Sequence, residues 1–301
     1  MSDHLTNLLP DLSDALADRA AAGAALLASV RIGERGLSGI AWRGDLVVTS
    51  DQALPDVDAY AVERSGGRAS ATLVGRDAGT NVALLRVGEG APAESSSVSA
   101  APARFGALAL ALGARRWAEP TMRLALLRTV GPAWRSMAGG EIDQLIRLDL
   151  RASRDDEGGP VIDARGALIG MATAGPRGRA LVIPHATIER AVGRILTHGT
   201  VRGGWLGVGL QPVAVPAGLR EAAGQESGLM VVSLAPSGPA EQAGMLPGDI
   251  LLTVDGEPAL RLRAIRGRLG AERVGQAVDI RLMRAGAVQS LRLTVGARPA
   301  R

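Results

Sequence analysis

The chain has 301 residues, of which 47% are hydrophobic and only 2% aromatic, and its formal net charge is +4. This length predicts two domains. The absence of cysteine excludes disulfides and thiolate nucleophiles, and the absence of lysine excludes a serine–lysine catalytic pair. A modest charge without basic stretches interleaved with aromatics argues against a nucleic-acid partner.

Residues 1–24 predict an N-terminal helix or tail, because the apolar residues from Leu12 to Ala21 have helical spacing. The first eighteen residues contain four aspartates and no arginine, whereas a secretory signal begins with basic residues. The apolar run from Ala20 to Val30 is too short to span a bilayer. We therefore expect no membrane span and a cytoplasmic location; the alternative is a periplasmic protein whose leader is missing.

Residues 25–197 form the first predicted domain. Short apolar runs are separated by Gly, Pro and Asp, a pattern typical of all-β barrels and sandwiches. Near its end, the apolar residues of Ala186 to Thr197 recur with helical periodicity. The sequence predicts a β-domain that ends in one helix.

Three stretches of this domain resemble segments of a known family: Gly39 to Leu54, Ala71 to Val87, and Ser153 to Pro160, which reads Ser-Arg-Asp-Asp-Glu-Gly-Gly-Pro. They are similar to the three stretches that carry the catalytic residues in trypsin-like peptidases of the HtrA (Deg) family. The resemblance implies a mainly β fold with a trypsin-like double β-barrel. It places Gln52 at the family's histidine, Asn81 at its aspartate and Glu157 at its serine.

These three side chains differ chemically from the triad. The Gln52 amide has no useful proton affinity near pH 7, and Asn81 carries no charge to stabilise an imidazolium. Glu157 accepts hydrogen bonds but cannot replace a serine alkoxide. Asp155 also replaces a glycine whose flexible backbone helps to form the oxyanion hole. We therefore predict no catalytic residues and a pseudoenzyme.

Two catalytic alternatives stay open. One is a peptidase with a remodelled mechanism, and the other is a metal-assisted hydrolase that uses the acidic run Asp155 to Glu157 with Asp51. Consecutive acidic residues beside Arg151 and Arg154 are also typical of a solvated loop. We predict no metal and no cofactor.

Residues 198–203 predict a linker, residues 204–297 a second domain, and residues 298–301 a C-terminal tail. The run from Ser237 to Gly256 contains Pro-Ala-Glu-Gln-Ala-Gly-Met-Leu-Pro-Gly-Asp-Ile. This pattern closely resembles an HtrA-type PDZ domain, an α+β module that binds extended peptides at a sheet edge beside a helix. Strands, a helix at about Arg261 to Leu269 and two closing strands complete the predicted module.

The resemblance implies a peptide site in the second domain. Its carboxylate-binding loop corresponds to Trp205, Leu206, Gly207 and Val208, and the edge strand continues through Gly209 and Leu210. From the helix, Ile265 faces the groove or the core.

Together, these features predict an HtrA-like pseudoprotease that binds peptide C-termini or unfolded protein segments. The predicted role is that of an adaptor, a chaperone or a regulatory subunit beside an active HtrA-like paralogue. A homo-oligomer, specifically a trimer, is implied by the resemblance.

Overall fold

The structure is a computed structural model that describes residues 2–32, 35–57, 59–64, 67–88, 99–114 and 119–299, without the side chains of residues 2–6, 32, 35, 263 and 266. Contacts within the chain define two compact units: residues 1–134 with 142–201, and residues 135–141 with 202–301. Among the described helices, none is both long and apolar enough to cross a membrane.

The first unit begins with helix α1 (Ser2–Ala24) and continues into a closed six-stranded barrel. The barrel strands are β1 (Leu27–Ile32), β2 (Arg35–Ala41), β3 (Leu46–Ser50), β4 (Tyr60–Arg64), β5 (Gly67–Asp77) and β6 (Val82–Val87). They pair in the order β1-β2-β3-β6-β5-β4, and β4 closes the barrel against β1.

A second closed barrel follows in the same unit, with the order β11-β14-β13-β12-β7-β8. Its segment of the chain contains β7 (Leu108–Ala114), β8 (Pro120–Gly131), the short paired strands β9 (Trp134–Arg135) and β10 (Glu141–Ile142), β11 (Leu145–Arg151), β12 (Pro160–Asp163), β13 (Leu168–Ala174) and β14 (Arg179–Pro184). The mainly β double barrel predicted from the sequence is confirmed.

Strand β3 is buried on both faces because it lies between two hydrophobic cores. Val47 points into the core of the first barrel, whereas its neighbour Val48 belongs to a core that also includes Leu112 and Ile162 of the second barrel. Successive side chains of a strand point to opposite faces. The same strand therefore packs both the first barrel and the junction between the barrels.

Helix α2 (His185–His198) ends the first unit and covers this junction. Its buried residues Ile188, Ala191, Val192 and Ile195 recur at the spacing of one helical face. Gly199 follows with φ 70°, and its N–H donates to the Ile195 carbonyl, which ends the helix. The helix predicted from the apolar periodicity is confirmed.

The second unit is an α+β domain. Its elements are β15 (Gly204–Trp205), β16 (Val208–Ala214), α3 (Arg220–Ala223), β17 (Ser227–Leu234), α4 (Pro239–Gln242), β18 (Ile250–Val254), β19 (Glu257–Pro258), α5 (Leu262–Arg268), β20 (Ala277–Arg284), β21 (Ala287–Thr294) and β22 (Gly296–Ala297). The main sheet has the order β16-β17-β18-β20-β21, and β19 pairs with β18.

Asp249 anchors the turn before β18 to the end of β20. Its carboxylate accepts hydrogen bonds of 2.8 Å from Nε and Nη2 of Arg284 and from the N–H of Leu246, and the residue is 1% exposed. Burial by itself would raise the pKa of Asp249, but these hydrogen bonds and the Arg284 charge outweigh it and lower the pKa below its usual value.

The lowered pKa predicts an acid-dependent loss of stability. Asp249 stabilises the fold above its unfolded pKa of about 3.9, and this contribution is lost as the pH falls through the lower folded pKa. We expect Asp249→Asn to reduce the free energy of unfolding by about 2 kcal/mol at pH 7, because it disrupts a charged hydrogen-bond network. Urea unfolding between pH 7 and pH 3.5 measures this difference, which should shrink toward the acid end.

Asp279→Asn is the matched control, since the Asp279 side chain is 79% exposed and lies 3.9 Å from Arg292. Its effect should stay within about 0.5 kcal/mol at every pH. An Asp249→Asn effect that is the same at pH 7 and pH 3.5 would contradict the assignment.

Candidate functional site

The three side chains that the resemblance places at the triad positions lie together between the two barrels. Gln52 follows the end of β3, Asn81 precedes β6 and Glu157 precedes β12. Asn81 has φ 60°, a left-handed conformation that asparagine tolerates better than most residues. The cluster therefore forms where strands from both barrels end.

The Glu157 carboxylate is the centre of the cluster, and the residue is 7% exposed. Oε1 accepts hydrogen bonds from Ser50 Oγ at 2.6 Å, Thr173 Oγ1 at 2.8 Å and Gln52 Nε2 at 3.0 Å. Oε2 accepts one from the Ala174 N–H at 2.6 Å. Four donors from both barrels thus stabilise the buried carboxylate.

Asn81 connects the outer members of the same network. Its Oδ1 accepts the backbone N–H of Gln52 at 2.7 Å, while Nδ2 lies 2.7 Å from Thr173 Oγ1 and 3.1 Å from Ser50 Oγ. The sequence did not single out Ser50 or Thr173. Ser50 lies two residues before Gln52, and Thr173 lies on β13, which pairs with the strand that follows Glu157.

Gly158 is required by the close approach of the acidic loop to the first barrel. Its φ is 85°, and an added Cβ would collide with the carbonyl oxygen of Ser38 and with Thr49 Oγ1. The Gly158 N–H donates to the Ala172 carbonyl at 2.9 Å. A side chain at this position would push the Glu157 loop away from the first barrel.

The other two acidic residues of the loop have different partners. The Asp155 N–H donates to Ser153 Oγ at 3.2 Å, and its carbonyl accepts from Ser38 Oγ at 2.5 Å. Asp156 is bound by Arg123 Nη1 at 2.6 Å. Burial raises the pKa of Asp156, against the opposing effect of Arg123.

The acidic residues are not arranged as a cation site. Asp51, the other residue considered for a metal, is paired with Arg76 at 2.9 Å. Across the described ranges of the chain, no three His, Cys, Asp or Glu side chains come together as metal ligands would. His185 stacks on Trp42 with ring centroids 5.1 Å apart, and burial lowers the pKa of its imidazole.

The Glu157 network predicts a large loss of stability on truncation. Glu157→Ala removes the carboxylate that accepts hydrogen bonds from Ser50, Thr173, Gln52 and the Ala174 N–H, so the free energy of unfolding should fall by about 3 kcal/mol. Glu189→Ala is the control, because Glu189 forms an exposed ion pair with Arg43 at 2.9 Å and should matter by less than about 1 kcal/mol. Equal effects in chemical denaturation would show that the network contributes little.

Strand β16 of the second unit has an open edge. In the described part of the chain, β16 pairs on one side only, with β17, and α5 contacts it. An unpaired strand edge offers N–H and C=O groups to an added strand. Gly209 and Leu210 lie on this edge strand and are partly exposed.

The loop before β16 has a defined backbone. The Leu206 carbonyl accepts the Ala240 N–H at 2.9 Å, and the Gly207 carbonyl accepts the Ala235 N–H at 2.8 Å. Gly207 has φ 77°, and a Cβ there would lie 3.3 Å from Gly238 Cα. Trp205 and Val208 are partly exposed, whereas Leu206 (3%) and Ile265 (5%) are buried in the core of this unit.

Comparison with known proteins agrees with both halves of this description. Residues 37–171 match the model of the trypsin-like peptidase domain, and residues 204–295 match that of the PDZ domain. The chain is 30% identical over 267 residues to a probable periplasmic serine endoprotease DegP-like of Rhizobium meliloti, covering 84% of this chain and 51% of the relative. The protein of the same name from Brucella suis is 28% identical over 264 residues, covering 84% of this chain and 50% of the relative. The chain spans about half the length of these curated relatives.

Solved structures give the same result. The HtrA-type protease AlgW with a decapeptide superposes with a TM-score of 0.69 at 24% identity, over 95% of this chain and 99% of that one. AlgW with a tripeptide has a TM-score of 0.67 at 26% identity, over 95% and 98%. The chain thus has a stretch that matches trypsin-like peptidase domains followed by one that matches PDZ domains, and it is similar to HtrA-type proteases over most of its length.

Two predictions from the sequence are wrong in this light. The substituted side chains led us to predict a protein that is not an enzyme, but the relatives are named serine endoproteases and the structural neighbours are HtrA-type proteases, which points to a protease. The acidic N-terminus led us to predict the cytoplasm, but the relatives are named periplasmic. Both predictions applied the chemistry of a few residues, the three substituted side chains and the acidic N-terminus, to the whole protein.

Proposed function

We propose that this chain is an HtrA-like protein that captures peptides through its PDZ domain. The observation that carries the proposal is the open edge of β16 beside α5, preceded by the loop from Trp205 to Val208. An incoming peptide adds a strand to this edge, and the loop's N–H groups hold its terminal carboxylate. The ligands are peptide C-termini or exposed segments of unfolded proteins, and the relatives' name favours the periplasm as the place where they are met.

A free C-terminus is the first test of the carboxylate loop. We expect a peptide with a free carboxylate to bind the full chain with micromolar affinity, about −8 kcal/mol. Amidation removes the charge, and hydrogen bonds to a charged group contribute roughly 1.5 to 3 kcal/mol, so the affinity should fall at least tenfold. A C-terminal peptide library titrated by fluorescence anisotropy measures both values. Equal affinities would assign the groove to internal segments instead.

Gly207→Val tests the same loop from the protein side, because its Cβ would crowd Gly238 and Pro239. Gly256→Val is a matched control: Gly256 also has φ 77°, but nothing lies within 4 Å of an added Cβ. Both variants strain the backbone equally, and only Gly207→Val should lose peptide. A similar loss in both would show that strain, rather than the loop, lowers the affinity.

Peptide hydrolysis is the second candidate function, because the relatives are named serine endoproteases. In the described cluster the hydroxyls beside the Glu157 carboxylate belong to Ser50 and Thr173, which are 0% and 5% exposed. Hydrolysis at this site would have to use the Glu157 carboxylate as general base, since both hydroxyls donate hydrogen bonds to it.

Casein turnover by the purified chain tests this second candidate. If the cluster is hydrolytic, Ser50→Ala should lower kcat at least a hundredfold, as expected for loss of a nucleophile or of its proton donor. The exposed Thr197→Ala serves as control and should leave kcat unchanged. Turnover that survives Ser50→Ala would separate hydrolysis from the Glu157 cluster, and labelling by a fluorophosphonate would then identify the serine used.

An adaptor, chaperone or regulatory role beside an active HtrA-like paralogue is compatible with peptide capture, and so is assembly into a homotrimer. Purification from the native host followed by identification of bound proteins tests the first, and analytical ultracentrifugation tests the second.

A further inference from the structure

A polar cavity lies in the first unit, and its lining shares no residue with the Glu157 cluster. It measures about 470 Å³ and is formed by β8, β11, the start of β14 and the turn that precedes β14. Five arginines line it, together with one carboxylate, that of Asp149; we call this cavity the arginine pocket. The arginines are Arg128, Arg147, Arg151, Arg177 and Arg179.

The positive charge of the arginine pocket is not neutralised within the described ranges of the chain, where none of the five arginines forms an ion pair. In the same unit, Arg123, Arg190 and Arg194 each contact an aspartate at 2.6 to 2.8 Å. Asp149 instead accepts the Leu126 N–H at 2.8 Å. The five arginines and Asp149 give the arginine pocket a formal charge of +4.

The backbone around the arginine pocket departs from regular pairing on both sides of β11. The register with β8 shifts between Arg147 and Leu148, and the register with β14 shifts between Arg147 and Arg151. Such irregularities bend a strand and redirect its side chains, and they are frequent next to functional sites. Arg177 has φ 61°, a left-handed conformation that is uncommon outside glycine.

One pair of arginines shows why a bound anion would stabilise the pocket. Arg151 lies directly opposite Arg179 in the pairing of β11 with β14. Like charges at directly opposed positions destabilise a sheet. A bound anion would convert this repulsion into two favourable contacts.

We propose that the arginine pocket binds an anion that carries two or more phosphate groups. A phosphate group bears a charge of about −1.5 to −2 at pH 7, so two of them match the +4 of the pocket. Guanidinium groups bind phosphate oxygens through paired N–H donors, and the volume lies in the range of small-ligand sites. The phosphates come either from a free oligophosphate or from the headgroups of an anionic phospholipid.

The test uses the full chain and inorganic tripolyphosphate in isothermal titration calorimetry. We expect binding with one site per chain that weakens as salt is added, because the attraction is electrostatic. Arg147→Gln and Arg179→Gln should each weaken binding at least tenfold, the loss expected for one charged hydrogen bond. Arg104→Gln, an equal charge change at an exposed residue outside the pocket, should leave the affinity unchanged.

Flotation with vesicles distinguishes the two sources of phosphate. Arginine-dependent binding to phosphatidylglycerol vesicles, but not to phosphatidylcholine vesicles, assigns the pocket to a membrane surface, and binding to tripolyphosphate alone assigns it to a free anion. Thermal unfolding without ligand should show that Arg179→Gln is at least as stable as the parent chain, since it relieves the repulsion with Arg151. The proposal fails if neither probe binds, if Arg104→Gln weakens binding as much as Arg147→Gln, or if a glutamate-rich peptide binds more tightly than tripolyphosphate.

Discussion

The junction of the two barrels in the first unit depends on the buried carboxylate of Glu157. An ionised group withdrawn from water is tolerated only when hydrogen bonds replace its hydration, and Glu157 obtains them from Ser50 and Gln52 near the end of β3 and from Thr173 and Ala174 at the end of β13. These hydrogen bonds therefore connect strand ends of one barrel to strand ends of the other. Val48 and its apolar neighbours also hold the two barrels together, through a hydrophobic core that both barrels share.

The hydrogen-bond network around Glu157 determines which functional groups lie at the junction of the barrels. In the described cluster, Gln52 and the two hydroxyls donate to the Glu157 carboxylate, and Asn81 contacts both hydroxyls. The imidazole of His185 stacks on Trp42. The chain superposes on HtrA-type proteases over most of its length. Similarity to these proteases and the chemistry of the Glu157 cluster are separate questions, and measured turnover by the purified chain answers both.

The second unit follows a different constraint, that of an open sheet edge. Strand β16 pairs with β17 alone in the described part of the chain, and α5 covers its flank without pairing with it. The backbone groups of a strand edge favour pairing with another strand. Asp249 and Arg284 connect the turn before β18 to the end of β20. These strands lie on the other side of β17 from β16, so this interaction leaves the open edge of β16 unpaired.

The sequence by itself determined the class of fold and much of its local structure. Apolar spacing predicted α2, and the run from Ser237 to Gly256 predicted the turn and strands around α4, because periodicity and turn residues act over a few positions. The resemblance also brought Gln52, Asn81 and Glu157 to attention as a set. The sequence did not identify their partners: the pairing of β12 with β13 places Thr173 beside Glu157, and the junction of the two barrels brings Ser50 to it.

Tertiary structure alone decided the remaining features. Asp249 meets Arg284 across 35 residues, and the arginine pocket draws its five arginines from three strands and a turn. These contacts join residues far apart in the chain, and they depend on strand order, register and the irregular pairing on both sides of β11. Local composition carries no information about which distant strand becomes a neighbour, so these contacts exist only once the sheets of each unit have formed.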